Sequence, residues 1–368
     1  MNQKTLGKTD TRISMVGQGT GLGGYSASSG SYGELAPIIR AGVDAGLTFI
    51  DTAPAYGGGE SERIVGRAIS GIRDKVVLAT KVSPSDTTSD GVVRSAEASL
   101  ARLGTDVIDL FQIHWSNPIV PIEDTMDGMI RLVNQGKIRH IGVSNFSLNE
   151  LKDASTGLHG SHVVSLQVEY NLFDRSVEDV VMPYCIDHGI SIIAYSPLHR
   201  GQIVGRTDQR ALIEKIAIRH EATAAQVALA WLTGRPGVTT IPSTTRPSRI
   251  EENAGAMQLV LTPEESSEIA EVCSLQQQEI PTEQIRTAAN DSRAGFHTLQ
   301  EALDNTLGSA PSPRQLAEQI RAGDFLKPIR LAPVGDEFEV LEGRLRYWAW
   351  VIAFDGHKPI PALIDETA

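Results

Sequence analysis

Between Thr48 and Pro242 the sequence repeats one pattern: short apolar runs (TFID, KVVLATK, VIDLFQIH, IRHIGVSN, VVSLQVEY, ISIIAYS, VTTIP) separated by stretches with helical spacing. Each run is too short for a buried helix and rich in β-branched residues, as expected of strands covered on both faces. Helical stretches are predicted over 34–45, 60–70, 91–103, 123–135, 148–155, 176–188, 208–219 and 223–233. A further run over 14–19 brings the number of strands to eight. Strands alternating with helices in this way predict an α/β fold, a (β/α)8 TIM barrel closing near Pro242. A hairpin around Gly7 to Asp10 precedes it, and Gly19, Gly21, Gly23 and Gly24 form a loop in which backbone can approach a ligand. No helix opens in the register that a dinucleotide fingerprint needs.

In such a barrel, active sites are built where strands end. The polar residues at those ends are Asp51, Lys81, His114, Ser144 with Asn145, Gln167, Tyr195 with Ser196, and the segment from Ser243 to Arg249. Helix caps account for some of the Ser, Asn and Asp residues, but not for Lys81, His114, Gln167 or Tyr195. Taken alone, Asp51 and Tyr56 also read as a cap and a loop aromatic. A lysine straight after VVLAT is costly to bury without a partner, and Asp51 is the partner expected. Lys81 beside Tyr56 favours the phenolate, making Tyr56 a better proton donor, while His114 orients a carbonyl oxygen. These groups supply no electrons, so a hydride has to come from a cofactor. Tyr195 offers a face for a nicotinamide, and Ser144, Asn145 and Gln167 can fix a carboxamide. Ser243, Thr244, Arg246 and Arg249 precede a helix starting near Glu251, which suits a ribose phosphate.

The composition fits a small-molecule partner. A net charge of −12 argues against a binder of nucleic-acid backbone, which needs clustered Lys and Arg. Cys185 and Cys273 have no metal-ligand spacing, so neither a zinc site nor a disulfide framework is expected. The polar start MNQKTLGKTD and the lack of a long apolar run predict neither a signal peptide nor a membrane span, and two buried thiols suit a cytoplasmic protein.

Residues 1 to about 275 resemble the aldo-keto reductases through FIDTAPAYGGGESERIVG, LATK, LARLGTDVIDLFQIHW, GKIRHIGVSNFS, LQVEYNLF, IIAYSPL and IPSTTRPSRIEENAGA. The resemblance implies a metal-free barrel that uses NADPH to reduce an aldehyde or ketone. It implies Asp51, Tyr56, Lys81 and His114 as the catalytic tetrad, with Tyr56 the general acid. Ser144, Asn145, Gln167, Tyr195, Ser196 and Leu198 match nicotinamide positions, and Arg249, Glu252 and Asn253 match adenosine and 2′-phosphate positions. Ser243 stands where many members have Lys or Gly, so Arg246 is expected to share the phosphate.

Residues 276–280 read as a linker, and 281–368 as a smaller α+β domain with a hairpin turn at Gly335 and Asp336 and a core built on Tyr347, Trp348 and Trp350. Through LEGRLRYWAW and LKPIRLAP it resembles the ParB/sulfiredoxin-like nucleotide-binding fold. That resemblance implies a phosphate site at Gly343, Arg344 and Arg346 for a nucleotide or other phosphorylated ligand. The competing reading pairs both arginines with Glu339 and Glu342. This stretch has no Cys, which excludes sulfiredoxin chemistry, and its 9 basic against 13 acidic side chains argue against DNA. It can also cover the barrel mouth or form a homo-oligomer. The alternative to a reductase is an NADPH-binding regulatory or scaffold protein with this module as its effector. Specificity is expected in loops 24–33, 116–121 and 198–205.

Overall fold

The computed structural model describes residues 2–21, 35–156, 162–201, 207–273, 277–287, 295–307, 311–323 and 327–365. Loop 24–33 and residues 202–205 lie outside them, as do Gly23 and Gly24. Strands β1 (Gln3–Thr5) and β2 (Arg12–Ser14) form the antiparallel hairpin. Leu6 and Ile13 are fully buried against Phe49, Leu110, Val164 and Ile193, so the hairpin plugs one end of the structure. Lys4 fastens it there, donating to the carbonyls of Arg235 at 2.9 Å and Val238 at 2.7 Å.

The main sheet runs in chain order through β3 (Gln18–Gly19), β4 (Phe49–Asp51), β5 (Val77–Val82), β6 (Ile108–Ile113), β7 (Ile138–Ser144), β8 (Val163–Glu169), β9 (Ser191–Tyr195) and β10 (Val238–Thr240). All neighbours are parallel, and the bridges Val16 to Thr240 and Gly19 to Ser243 join the last strand to the first. This closure makes a barrel. All six residues of β6 are buried, as expected of a strand between a packed interior and a helical layer.

The helical layer is α1 (Leu35–Asp44), α2 (Glu60–Ile69), α3 (Ser89–Leu103), α4 (Ile122–Asn134), α5 (Leu148–Ser155), α6 (Val181–His188), α7 (Thr207–Arg219), α8 (Ala224–Thr233), α9 (Pro247–Gly255) and α10 (Pro263–Cys273). Helix α6 starts five residues later than the periodicity predicts. Asp174 Oδ1 accepts from both the amide and the hydroxyl of Ser176, a local turn that competes with helix.

The stretch predicted to be a linker contributes a strand. β11 (Gln277–Ile280) pairs antiparallel with β15 (Ile360–Ile364) at the edge of a second sheet, ordered β11-β15-β13-β14-β12, with β12 at Ile285–Arg286, β13 at Ile329–Val334 and β14 at Glu337–Glu342. Helices α11 (Leu299–Asp304), α12 (Pro313–Arg321) and α13 (Arg344–Phe354) accompany it. Ile280, Leu331, Val340, Tyr347, Trp350 and Ile360 share a core separate from that of the barrel. The β13–β14 hairpin turns at Gly335, whose φ is 66°.

Candidate active site

Asp51, the last residue of β4, and Lys81, near the end of β5, are both almost entirely excluded from solvent. The Lys81 ammonium donates to Asp51 Oδ1 at 2.6 Å, to the Thr52 carbonyl at 3.1 Å and to Tyr56 Oη at 3.3 Å. Burial opposes its charge, but Asp51 and Tyr56 outweigh burial and hold the Lys81 pKa above the ordinary lysine value. Tyr56 owes its position to glycines. Gly57, Gly58 and Gly59, with φ of 60°, 61° and 86°, carry the chain from the phenol into α2. A Cβ on Gly21 would lie 3.1 Å from Tyr56 Cζ, so the backbone there packs against the ring as no other residue type would allow without displacement.

His114 follows β6 and meets Tyr56 edge to face, with centroids 5.8 Å apart and planes at 85°. Burial first, and then the Lys81 charge, push its pKa well below 6.5. The imidazole is therefore neutral at neutral pH, with one ring nitrogen carrying a proton it can donate. Because the unfolded chain binds the His114 proton below about pH 6.5 and the folded one does not, this residue removes stability as pH falls below that value. An NMR titration is expected to show no His114 protonation step near pH 6.5; a step there would contradict the burial argument.

Two amides complete the carboxylate's shell. Gln112 donates to Asp51 Oδ2 at 3.1 Å and Gln167 at 2.8 Å. Gln167, one of the residues expected to fix a carboxamide, thus has its amide nitrogen turned onto Asp51. Gln112 escaped sequence reading, although it lies two residues before His114 and so on the same face of the chain.

Asn145, with φ of 60°, donates to the His114 carbonyl at 3.1 Å and to Ser144 Oγ at 3.0 Å, and accepts from Tyr195 Oη at 3.0 Å. Ser196 also takes a positive φ, of 47°, an uncommon conformation for serine. Leu198 is half-buried two residues on. Burial and the nearby Glu169 push the Tyr195 pKa up, so it remains a phenol. Ser243, Arg246 and Arg249 are exposed before and within the first turn of α9. The N-cap residue Arg246 makes no side-chain cap, Thr244 Oγ1 accepts from the Arg246 amide at 3.0 Å, Arg249 pairs with Glu252, and Asn253 is buried.

The second module sits on the same rim. Lys327 reaches Asp174 Oδ2 at 2.7 Å and Glu169 Oε2 at 3.3 Å, and Arg330 donates to His199 Nε2 at 2.9 Å and to Asp365 at 2.7 Å. Burial works against the Lys327 charge, but Asp174 and Glu169 raise its pKa. Between rim and module lies a cavity of about 610 Å³. Gly343 and Arg344, with Arg346, line it, but Arg346 donates to the Lys327 and Pro328 carbonyls at 2.9 Å each and pairs with Glu342 at 3.2 Å.

The sequence profile of the Aldo/keto reductase family matches residues 16–274. The chain belongs to this family. It is 37% identical over 257 residues to the methylglyoxal reductase YeaE of Escherichia coli K12, covering 70% of this chain and 89% of that one. It is 40% identical over 231 residues to the aldo-keto reductase YhdN of Bacillus subtilis 168, covering 60% and 69%. Among solved structures, a thermostable aldo-keto reductase in complex with the inhibitor epalrestat superposes with a TM-score of 0.70 at 37% identity, covering 74% of this chain and 99% of its own. A Klebsiella pneumoniae aldo/keto reductase in complex with NADP and acetate gives 0.68 at 34%, covering 74% and 95%. Within this aldo-keto reductase, the matched region ends before the second sheet.

Proposed function

We propose that the protein reduces an aldehyde or ketone to an alcohol, with Tyr56 delivering the proton and NADPH as cofactor. The observation that carries this reading is the Lys81 ammonium held between the Asp51 carboxylate and Tyr56 Oη. NADPH, when bound, supplies the hydride for the carbonyl carbon. The chain's own residues manage charge and protons. Neutral His114 donates to the carbonyl oxygen, Tyr56 releases its proton to that oxygen as negative charge builds there, and Lys81 stabilises the phenolate left behind. Asp51, held by Gln112 and Gln167, keeps Lys81 charged and in place.

The donor set suits the cofactor. Tyr195 offers an aromatic face with the Asn145 amide beside it, and the start of α9 with exposed Arg246 and Arg249 suits a phosphate. The Klebsiella pneumoniae relative is in complex with NADP, and a second structure from that organism, 33% identical to this chain, is in complex with NADPH. Stopped-flow mixing of the full chain and NADPH with a panel of carbonyls is expected to show NADPH oxidation; its absence across the panel would remove the reading. Arg249→Ala and Arg246→Ala are expected to raise KM for NADPH about tenfold, on the scale of a charged hydrogen bond, while leaving NADH little changed. An equal effect on both cofactors would separate these arginines from the 2′-phosphate.

For residues 281–368, the ParB/sulfiredoxin-like assignment rests on LEGRLRYWAW and on Gly343 immediately preceding α13. Arg346 is engaged within the protein by the Lys327 and Pro328 carbonyls and by Glu342, which favours the reading of that arginine as a structural ion-pair partner over a phosphate ligand.

A further inference from the structure

We infer that the second module and the barrel rim together hold an apolar arm of the carbonyl substrate, so that the preferred substrate is a bulky, uncharged aldehyde or ketone. This rests on the reductase reading above and assigns it a substrate class. The cavity between the two parts has a barrel wall that includes Trp115, Val168 and Val177, and a module wall that includes Phe296, Leu316 and Leu345. Its volume of about 610 Å³ lies in the range of pockets that enclose a drug-sized molecule.

The cavity adjoins the proposed catalytic groups without being lined by Tyr56, His114 or Lys81. Trp115 follows His114 in the chain, and Asn145, which binds the His114 carbonyl, lies at the same end with Tyr195. A carbonyl held at Tyr56 and His114 can therefore extend its remaining atoms toward the module.

The charged side chains lining the cavity are Glu150, Glu169 and Glu342 against Lys327, Arg344 and Arg346, three of each sign. Lys327 is held by Asp174 and Glu169, and Arg346 by Glu342 and two carbonyls. The walls thus offer apolar contact more than a net charge. The module wall also lies beyond residue 274, outside the family match, so the substrates of relatives matched over the barrel are no guide to what this half of the pocket accepts.

Steady-state kinetics of the full chain with NADPH and a series of unbranched aldehydes, each compared with its ω-carboxylated counterpart, test this. Each added methylene that becomes buried is expected to raise kcat/KM about fourfold until the cavity fills. Leu345→Trp is expected to stop that rise at a shorter chain, and Leu345→Ala to carry it to a longer one. A flat series in the unaltered protein, a faster carboxylated series, or an unchanged rise in both variants would overturn the inference. A flat series with turnover that disappears in Tyr56→Phe would overturn the inference alone. No turnover of any aldehyde would remove the reductase reading and the inference with it.

Discussion

Tyr56→Phe is expected to lower kcat about 10²- to 10⁴-fold, the usual contribution of a positioned general acid, equivalent to roughly 3–5 kcal/mol of barrier. The substitution removes one oxygen and leaves the ring, whose edge-to-face contact with His114 and packing against Gly21 are independent of the hydroxyl. Stability and the KM for NADPH should therefore change little, and the loss should fall on the chemical step. Single-turnover hydride transfer measured by stopped flow is the deciding experiment. Near-normal transfer would mean that another group protonates the alkoxide, and neutral His114, with its proton affinity reduced by burial and Lys81, would be the first to re-examine.

The barrel could be read from the sequence because each strand is a short buried run, and the cluster of Asp51, Tyr56, Lys81 and His114 because each of these proposed catalytic side chains stands at or just beyond a strand end. Lys81 illustrates this: an ammonium directly after VVLAT makes sense only with a carboxylate nearby, and Asp51 on the adjacent strand provides it. What could not be read depended on side chains meeting across space. Gln167 has the polarity of a carboxamide ligand, yet its amide nitrogen faces Asp51, 116 positions earlier in the chain. Gln277–Ile280 has a linker's polarity because it forms an edge strand, with three of its four residues exposed. Lys327 meets Glu169, 158 positions away, and no local pattern announces such a pair. The late start of α6 has a more local cause, in the competition of Asp174 and Ser176 for backbone groups.

Lys81→Met is expected to be the most damaging change to the fold and the site together. Among the described residues it leaves the buried Asp51 carboxylate with the Gln112 and Gln167 amides as its remaining side-chain partners. Breaking one side of a buried ion pair costs about 3–5 kcal/mol, because the remaining charge has lost both water and its partner. The same change removes the cation beside Tyr56 Oη, so activity should fall even where the protein stays folded. Adding Asp51→Asn separates these effects. The double variant no longer buries an unpaired charge and is expected to regain a substantial part of the lost stability in urea unfolding. It still lacks the ammonium that stabilises the phenolate, so its kcat should remain at the level of the single variant. Recovery of stability without activity would assign Lys81 an electrostatic part in proton transfer beyond its structural one. Recovery of both would make it only Asp51's counter-ion, and the proton would have to leave Tyr56 without its help.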